Sequence, residues 1–522
     1  MTRHRIPALP VKPALFALLA LLLGCAQALA QLPRALVDAA SLRAELASRP
    51  GPEQLLVLDA SPTPRQQAAH IPGAVNADFY AYGLNPGDTQ AMQDRLRRWG
   101  VRNDAAQRIV VYDAGADHVA ARVYFDLVSH GVAPERIRLL DGGLHQWKAQ
   151  GGATQQGASA RPTAGDLDAA PVGRWRADLP EVLARRSVLL DALDPPFYFG
   201  AMKFLERGGH LPGALNLPAS SLFRADKTFV PVDELSARLQ RMGVRREQAP
   251  ISYCGGGVAA AVPFFALQAL LGWDEARLYP GSQREYLLDE RQLPLWQEAQ
   301  PVALRDRAWL DGWGQPLLRQ MDAVHYTLVD LRPAEDFARE RMPHAINLPI
   351  ERWRALRHQP QQLAAWLGSQ GLTRGQEAVL VSARAGLDAD KALALVLLES
   401  LGQWRVSLLR DTLTDWELMG AALDKGGPLP VPRARDYLVL PRDGLLATGD
   451  EGASALQLDA SVGLNLPALQ QAATPWRRWE LLTQSGVQPD APLLATATDP
   501  GDAALGYLLL RSLGLPQIRV RL

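Results

Sequence analysis

Cys254 is the residue in this chain best placed to do chemistry. It ends the apolar run Ile251-Ser252-Tyr253 and is followed by Gly255, Gly256, Gly257, Val258 and Ala259. An apolar, helix-like stretch, Ala260 to Leu271, comes next. At a strand-to-helix turn, backbone N–H groups and a helix N-terminus can surround a sulfur and favour its anionic, nucleophilic form. Glycines permit the tight curvature and let several N–H groups converge. A lone cysteine more often serves as a small buried hydrophobe, but three glycines directly after it argue for a reactive thiol. Cysteine-dependent phosphate chemistry needs an arginine six residues on to grip the anion, and that position is Ala260. The nine histidines are scattered, with no CxxC or HExxH spacing, so no metal site is expected.

The whole chain bounds the setting of that thiol. Its 522 residues are 48% hydrophobic and 21% charged, a globular composition, and the length suggests about three or four domains. Lys plus Arg equals Asp plus Glu at 55 each. No basic stripe stands out, which argues against a nucleic-acid partner. The N-terminus reads as an export signal at 1–30. Arg3, His4, Arg5 and Lys12 precede a short apolar stretch, Ala14 to Leu23, and Ala28-Leu29-Ala30 fits a cleavage site. Leu22-Leu23-Gly24-Cys25 offers a competing reading, a lipoprotein acylated at Cys25. Either places the protein in the periplasm or outside the cell. No later segment reads as a membrane span. Cys25 and Cys254 are the only cysteines, so removal or acylation of Cys25 leaves Cys254 as the sole thiol of the folded part.

The elements that must position Cys254 recur. Four apolar runs end in aspartate, at Asp59, Asp191, Asp330 and Asp459, spaced by 132, 139 and 129 residues. Three are followed by a related turn: His70-Ile-Pro-Gly-Ala-Val-Asn76, His210-Leu-Pro-Gly-Ala-Leu-Asn216 and Arg341-Met-Pro-His-Ala-Ile-Asn347. Each copy then has a second strand running into a helix, with strand ends at Asp113, Cys254, Ser382 and Thr496. Asp113, Cys254 and Thr496 each stand 18 residues before a helix-ending glycine, Gly131, Gly272 and Gly514. The third copy reads one residue out of register, its equivalent falling near Ala383. Copies one to three close near Trp147, Tyr286 and Trp416; the fourth lacks this segment. Strands alternating with helices predict an α/β fold, each copy a parallel sheet flanked by helices. Reactive groups in such sheets gather beyond the C-terminal strand ends. The copies are placed at 34–155, 174–300, 301–425 and 436–522, the last degenerate and truncated. Linkers are read at 151–171 and 426–435.

These residues resemble the rhodanese (sulfurtransferase) family, over 34–425 closely and 436–522 weakly. The Asp-ending strand, the His-x-Pro-Gly-Ala turn, the cysteine loop and the Gly-Gly…Trp ending are its recurrent marks. Asp113 in copy one and Cys254 in copy two resemble the tandem thiosulfate and 3-mercaptopyruvate sulfurtransferases. The resemblance implies that Cys254 takes sulfane sulfur from a small donor, holds it as a persulfide and passes it to cyanide or a thiol, with no cofactor. Gly255, Gly256, Gly257, Val258 and Ala259 would cradle the sulfur. The neutral loop is closer to the mercaptopyruvate type, although Gly256 and Ala259 stand where that type carries hydroxyls. Asp59, Lys203 and Arg207 are candidate substrate contacts; each also reads as a turn cap or a solvated charge. His70 and His210 sit in turns that recur without a cysteine and read as structural. Two alternatives stay open, a persulfide carrier or sulfide-oxidation accessory, and a scaffold binding an exported protein partner. The tandem pattern makes residues 31–300 the expected smallest active unit.

Overall fold

The computed structural model describes residues 34–48, 51–82, 89–298, 301–321, 323–447, 454–459, 462–488, 490–515 and 517–522. The export signal expected at 1–30, with Cys25, lies outside the described residues. Among those residues no helix is long and apolar enough to cross a membrane.

In copy one the apolar runs become β1 (Leu36–Val37), β2 (Leu55–Asp59), β3 (Val75–Asn76), β4 (Arg108–Tyr112) and β5 (Ile137–Leu140). They form one sheet in the order β1-β5-β4-β2-β3, with every pairing parallel. Copy three repeats that topology with Ala303–Arg305, Arg405–Leu409, Glu377–Val381, Tyr326–Asp330 and Ile346–Asn347, again all parallel. Strands of continuous Leu, Val and Ile suit such sheets, because helices cover both faces. Copy four is reduced: its first strand is a single bridge from Leu446 to Val520, and Val462–Gly463 pairs antiparallel.

The recurrent Asp and Asn have one local task. Asp59, Asp191 and Asp330 each accept, through Oδ1, the backbone N–H two residues on, at 2.9, 2.9 and 3.0 Å. Asn76, Asn216 and Asn347 each donate to two carbonyls of the same turn, those of Asp59 and Ser61, Asp191 and Leu193, and Asp330 and Arg332. Gly73 and Gly213 take positive φ in the adjoining turn, and copy three forces His344 into the same region at +66°.

The chain divides into two compact units. The first holds residues to Asp178 with Ala219–Val232 and Ile251–Pro280; the second holds Leu179–Pro218, Asp233–Pro250 and Gly281–Leu522. The cysteine loop therefore belongs to the unit built on copy one. There the copy-one helix Val119–Ser129, buried along its whole length, meets Ala261–Phe265. Tyr124 sits edge-on to Phe265 at 4.9 Å and Phe125 to Phe264 at 5.3 Å. The helix expected over 260–271 is α-helical only to Phe265 and continues as a π turn, Ala266–Leu270. Gln268 in that wide turn accepts from the Tyr124 hydroxyl at 2.6 Å.

In the second unit, Tyr198 and Phe199 share an apolar core with copies three and four. Phe199 lies 5.2 Å from Trp479 and 6.0 Å from Trp296, ring to ring. A cut at 300 would strip Phe199 and Trp296 of the cover that Trp479 gives them, which bears on the expected 31–300 unit.

Candidate active site

Cys254 follows the buried strand Ile251–Tyr253, which runs parallel to Arg277–Leu278. It is 2% exposed. The N–H of Gly257 donates to its Sγ at 3.1 Å. Of the residues expected to cradle the sulfur, Gly257 makes this bond; Gly255 and Gly256 are buried and Val258 and Ala259 half-buried. Gly257 has φ +82°, and a Cβ there would lie 2.6 Å from the Pro280 carbonyl oxygen. Only glycine fits that approach.

Sequence reasoning missed Arg122. Its Nη1 donates to the Gly257 carbonyl at 3.0 Å, across 135 residues of sequence. The side chain is fully buried, with Nε 3.2 Å from Asp126 Oδ1. Asp126 also accepts from the Tyr82 hydroxyl at 2.7 Å, and burial with that carboxylate pushes the Tyr82 phenol well up. The signal was available: an Arg and an Asp four residues apart inside the apolar helical run Val119-Ala-Ala-Arg122-Val-Tyr-Phe-Asp126.

Asp113 stands after β4 as Cys254 stands after its strand. Its Oδ1 accepts from Gly115 N at 2.8 Å and its Oδ2 from Ala120 N at 3.1 Å. Burial pushes its carboxyl up to about 6 despite those bonds. Copy one therefore keeps a loop whose N–H groups meet a fixed carboxylate.

Strand register settles the third copy. Asp330 pairs with Val381 as Asp59 pairs with Tyr112, so Ser382, not Ala383, corresponds to Asp113. Its loop keeps one such bond, from the Arg384 N–H to Ser382 Oγ at 3.2 Å, but adds a carboxylate and a lysine. Ser382 Oγ donates to Asp388 Oδ2 at 2.7 Å, and the buried Lys391 donates to the carbonyls of Arg384 and Gly386. Lys391 also pairs with Asp388 at 3.3 Å. In copy four Thr496 lies within its strand, and three residues, 497 to 499, connect it to the helix, against seven, 254 to 260, at the cysteine. No comparable loop fits there.

Asp59 is buried with Tyr112 and His70 beside it, and burial raises its carboxyl. Its capping bond is the one shared by copies with and without a cysteine. Lys203 and Arg207 belong to the second unit; Lys203 is exposed, and Arg207 donates to the Leu293 carbonyl at 2.9 Å. The two turn histidines contact backbone: His70 Nδ1 lies 3.0 Å from the Gln66 carbonyl and His210 Nδ1 2.8 Å from that of Tyr198. His210 stacks on the Tyr198 ring at 3.6 Å, and burial lowers it to about 4.

Repeated parallel α/β sheets and a cysteine at one strand end, its sulfur held by a glycine N–H, define a class of sulfur-handling proteins. The chain belongs to the rhodanese-like family: the model for the rhodanese-like domain matches residues 42–150, 177–288 and 315–419. It is 33% identical over 236 residues to "Putative thiosulfate sulfurtransferase SseB" of Mycobacterium tuberculosis, covering 42% of this chain and 81% of that one. It is 33% identical over 273 residues to "Probable 3-mercaptopyruvate sulfurtransferase" of Pseudomonas aeruginosa, covering 47% of this chain and 94% of that one. Among solved structures, a variant of EanB in complex with ergothioneine aligns with a TM-score of 0.46 at 20% identity, over 51% of this chain and 71% of that one. The chain is an enzyme of the rhodanese type, with sulfurtransferase activity.

Proposed function

We propose that the protein is an exported sulfurtransferase in which Cys254 carries sulfane sulfur from thiosulfate or 3-mercaptopyruvate to cyanide or a thiol. The observation that carries this reading is the Gly257 N–H on the Cys254 sulfur at a strand end. The thiolate attacks the outer sulfur of thiosulfate, an S–S bond forms, and the S–S bond of the donor breaks with its electron pair leaving on sulfite. With 3-mercaptopyruvate the broken bond is C–S, and the carbon takes a proton to give pyruvate. Attack by the acceptor on the outer persulfide sulfur then returns the Cys254 thiolate. This is covalent catalysis in two half-reactions, and a donated N–H stabilises the anionic sulfur at both ends of the cycle. The names of the two relatives support the two donors, and the neutral glycine loop supports 3-mercaptopyruvate.

The test is intact mass. Incubation with either donor adds one sulfur, about 32 Da, and cyanide or dithiothreitol removes it. Turnover by Cys254→Ser at the wild-type rate would remove Cys254 from this role.

A further inference from the structure

Arg122 does more than a core ion pair requires. A buried guanidinium costs several kcal/mol of desolvation before its partners offset it, and here it sits inside a helix that buries all eleven of its residues. Asp126 faces Nε, leaving Nη1 for the Gly257 carbonyl. The Phe79 and Phe125 rings flank the cation at 5.0 and 5.7 Å and keep water from it. The charged and titratable groups around it are Asp126, Tyr82 on that carboxylate, and Arg176 and His130 beyond Phe125 and Asp126.

At φ +82° Gly257 turns its carbonyl into the protein, where a buried C=O needs a donor. Arg122 supplies it. That bond fixes the peptide joining Gly257 to Val258, and the planar trans geometry turns the Val258 N–H away from the guanidinium. The same glycine presents its own N–H to the sulfur.

We propose that Arg122, carried by copy one, is a positioning residue for the Cys254 loop: through the Gly257 carbonyl it holds the N–H that receives the anionic sulfur. This rests on Cys254 being the sulfur-carrying nucleophile. It gives the cysteine-free copy one a task in catalysis: the active loop is set by a side chain of the copy that lost its own nucleophile.

The test uses the full chain and three variants: Arg122→Met, Arg122→Lys, and Arg122→Met with Asp126→Asn. The double variant removes both buried charges and is read if the single change unfolds. Circular dichroism and thermal unfolding select folded protein. Persulfide formation is then followed by intact mass in a single turnover, and kcat and KM are measured with each donor and cyanide. The expected result is a kcat about 30-fold lower with KM within about two-fold, since a mispositioned donor costs less than the 10²–10³ of a deleted one. Arg122→Lys recovers part of the loss. A folded variant with wild-type kcat, or one changed in KM alone, overturns the proposal. Failure of all three to fold assigns Arg122 to the core and also overturns it. Wild-type protein that takes up no sulfur, or Cys254→Ser that still turns over, defeats the Cys254 reading instead.

Discussion

Asp113 does in copy one what Cys254 does in copy two. The carboxylate accepts from Gly115 N at 2.8 Å and the thiol sulfur from Gly257 N at 3.1 Å, each directly after a central strand. One loop is closed by a carboxyl group and the other by a thiol sulfur. Copy one can keep its architecture without chemistry because the carboxylate satisfies the N–H groups that a sulfur anion would otherwise meet.

The raised Asp113 carboxyl predicts a pH effect on stability. Its folded value of about 6 exceeds the ordinary 3.8, so the folded state binds the proton more tightly. Its contribution is full below about pH 4 and is lost as pH rises through about 6. Asp113→Asn removes that dependence. Its unfolding free energy relative to wild type should rise by about 2 kcal/mol from pH 4 to 6.5. Urea titrations across the range measure it, and a flat difference would contradict the assignment.

Gly257→Ala should disable the loop. The added Cβ meets the Pro280 carbonyl at 2.6 Å and Arg122 Nη1 at 3.1 Å in a backbone region that disfavours side chains. A stability loss of about 1–3 kcal/mol and a fall in kcat of about 100-fold are expected, read by thermal unfolding and steady-state kinetics.

Gly256→Arg should favour thiosulfate over 3-mercaptopyruvate by about ten-fold in kcat/KM, because a cation beside the sulfur stabilises a dianionic donor more than a monoanionic one. An unchanged ratio would deny this position a donor-selecting role.

Ser382→Cys should not create a second site. In the Cys254→Ser background, the new thiol faces the Asp388 carboxylate, which lies 2.7 Å from the present hydroxyl, and like charge opposes its ionisation. Intact mass after donor treatment should show no added sulfur.

The fragment 31–300 should melt below the full chain and bind an apolar dye, since Phe199 and Trp296 lose the cover of copy four. Melting unchanged from the full chain would show that the shared core contributes nothing.

The sequence by itself determined the repeat, the sheet class and the candidate nucleophile, because these are local. An Asp-ending strand, an Asn two carbonyls away and a glycine run after Cys254 are spacings along the chain, and backbone geometry turns each into a turn or loop wherever it occurs. Register in copy three was not legible, since slipping Ser382 by one changes nothing local; the pairing of Asp330 with Val381 fixed it. The lysine in that loop was hidden for a similar reason: Lys391 turns back into the carbonyls of Arg384 and Gly386 from a buried helix. Arg122 and Gly257 meet across 135 residues, and only the packing of the two aromatic-faced helices brings them together. Local propensity sets what each segment forms, but which buried charge finds which buried carbonyl is decided by how those segments pack.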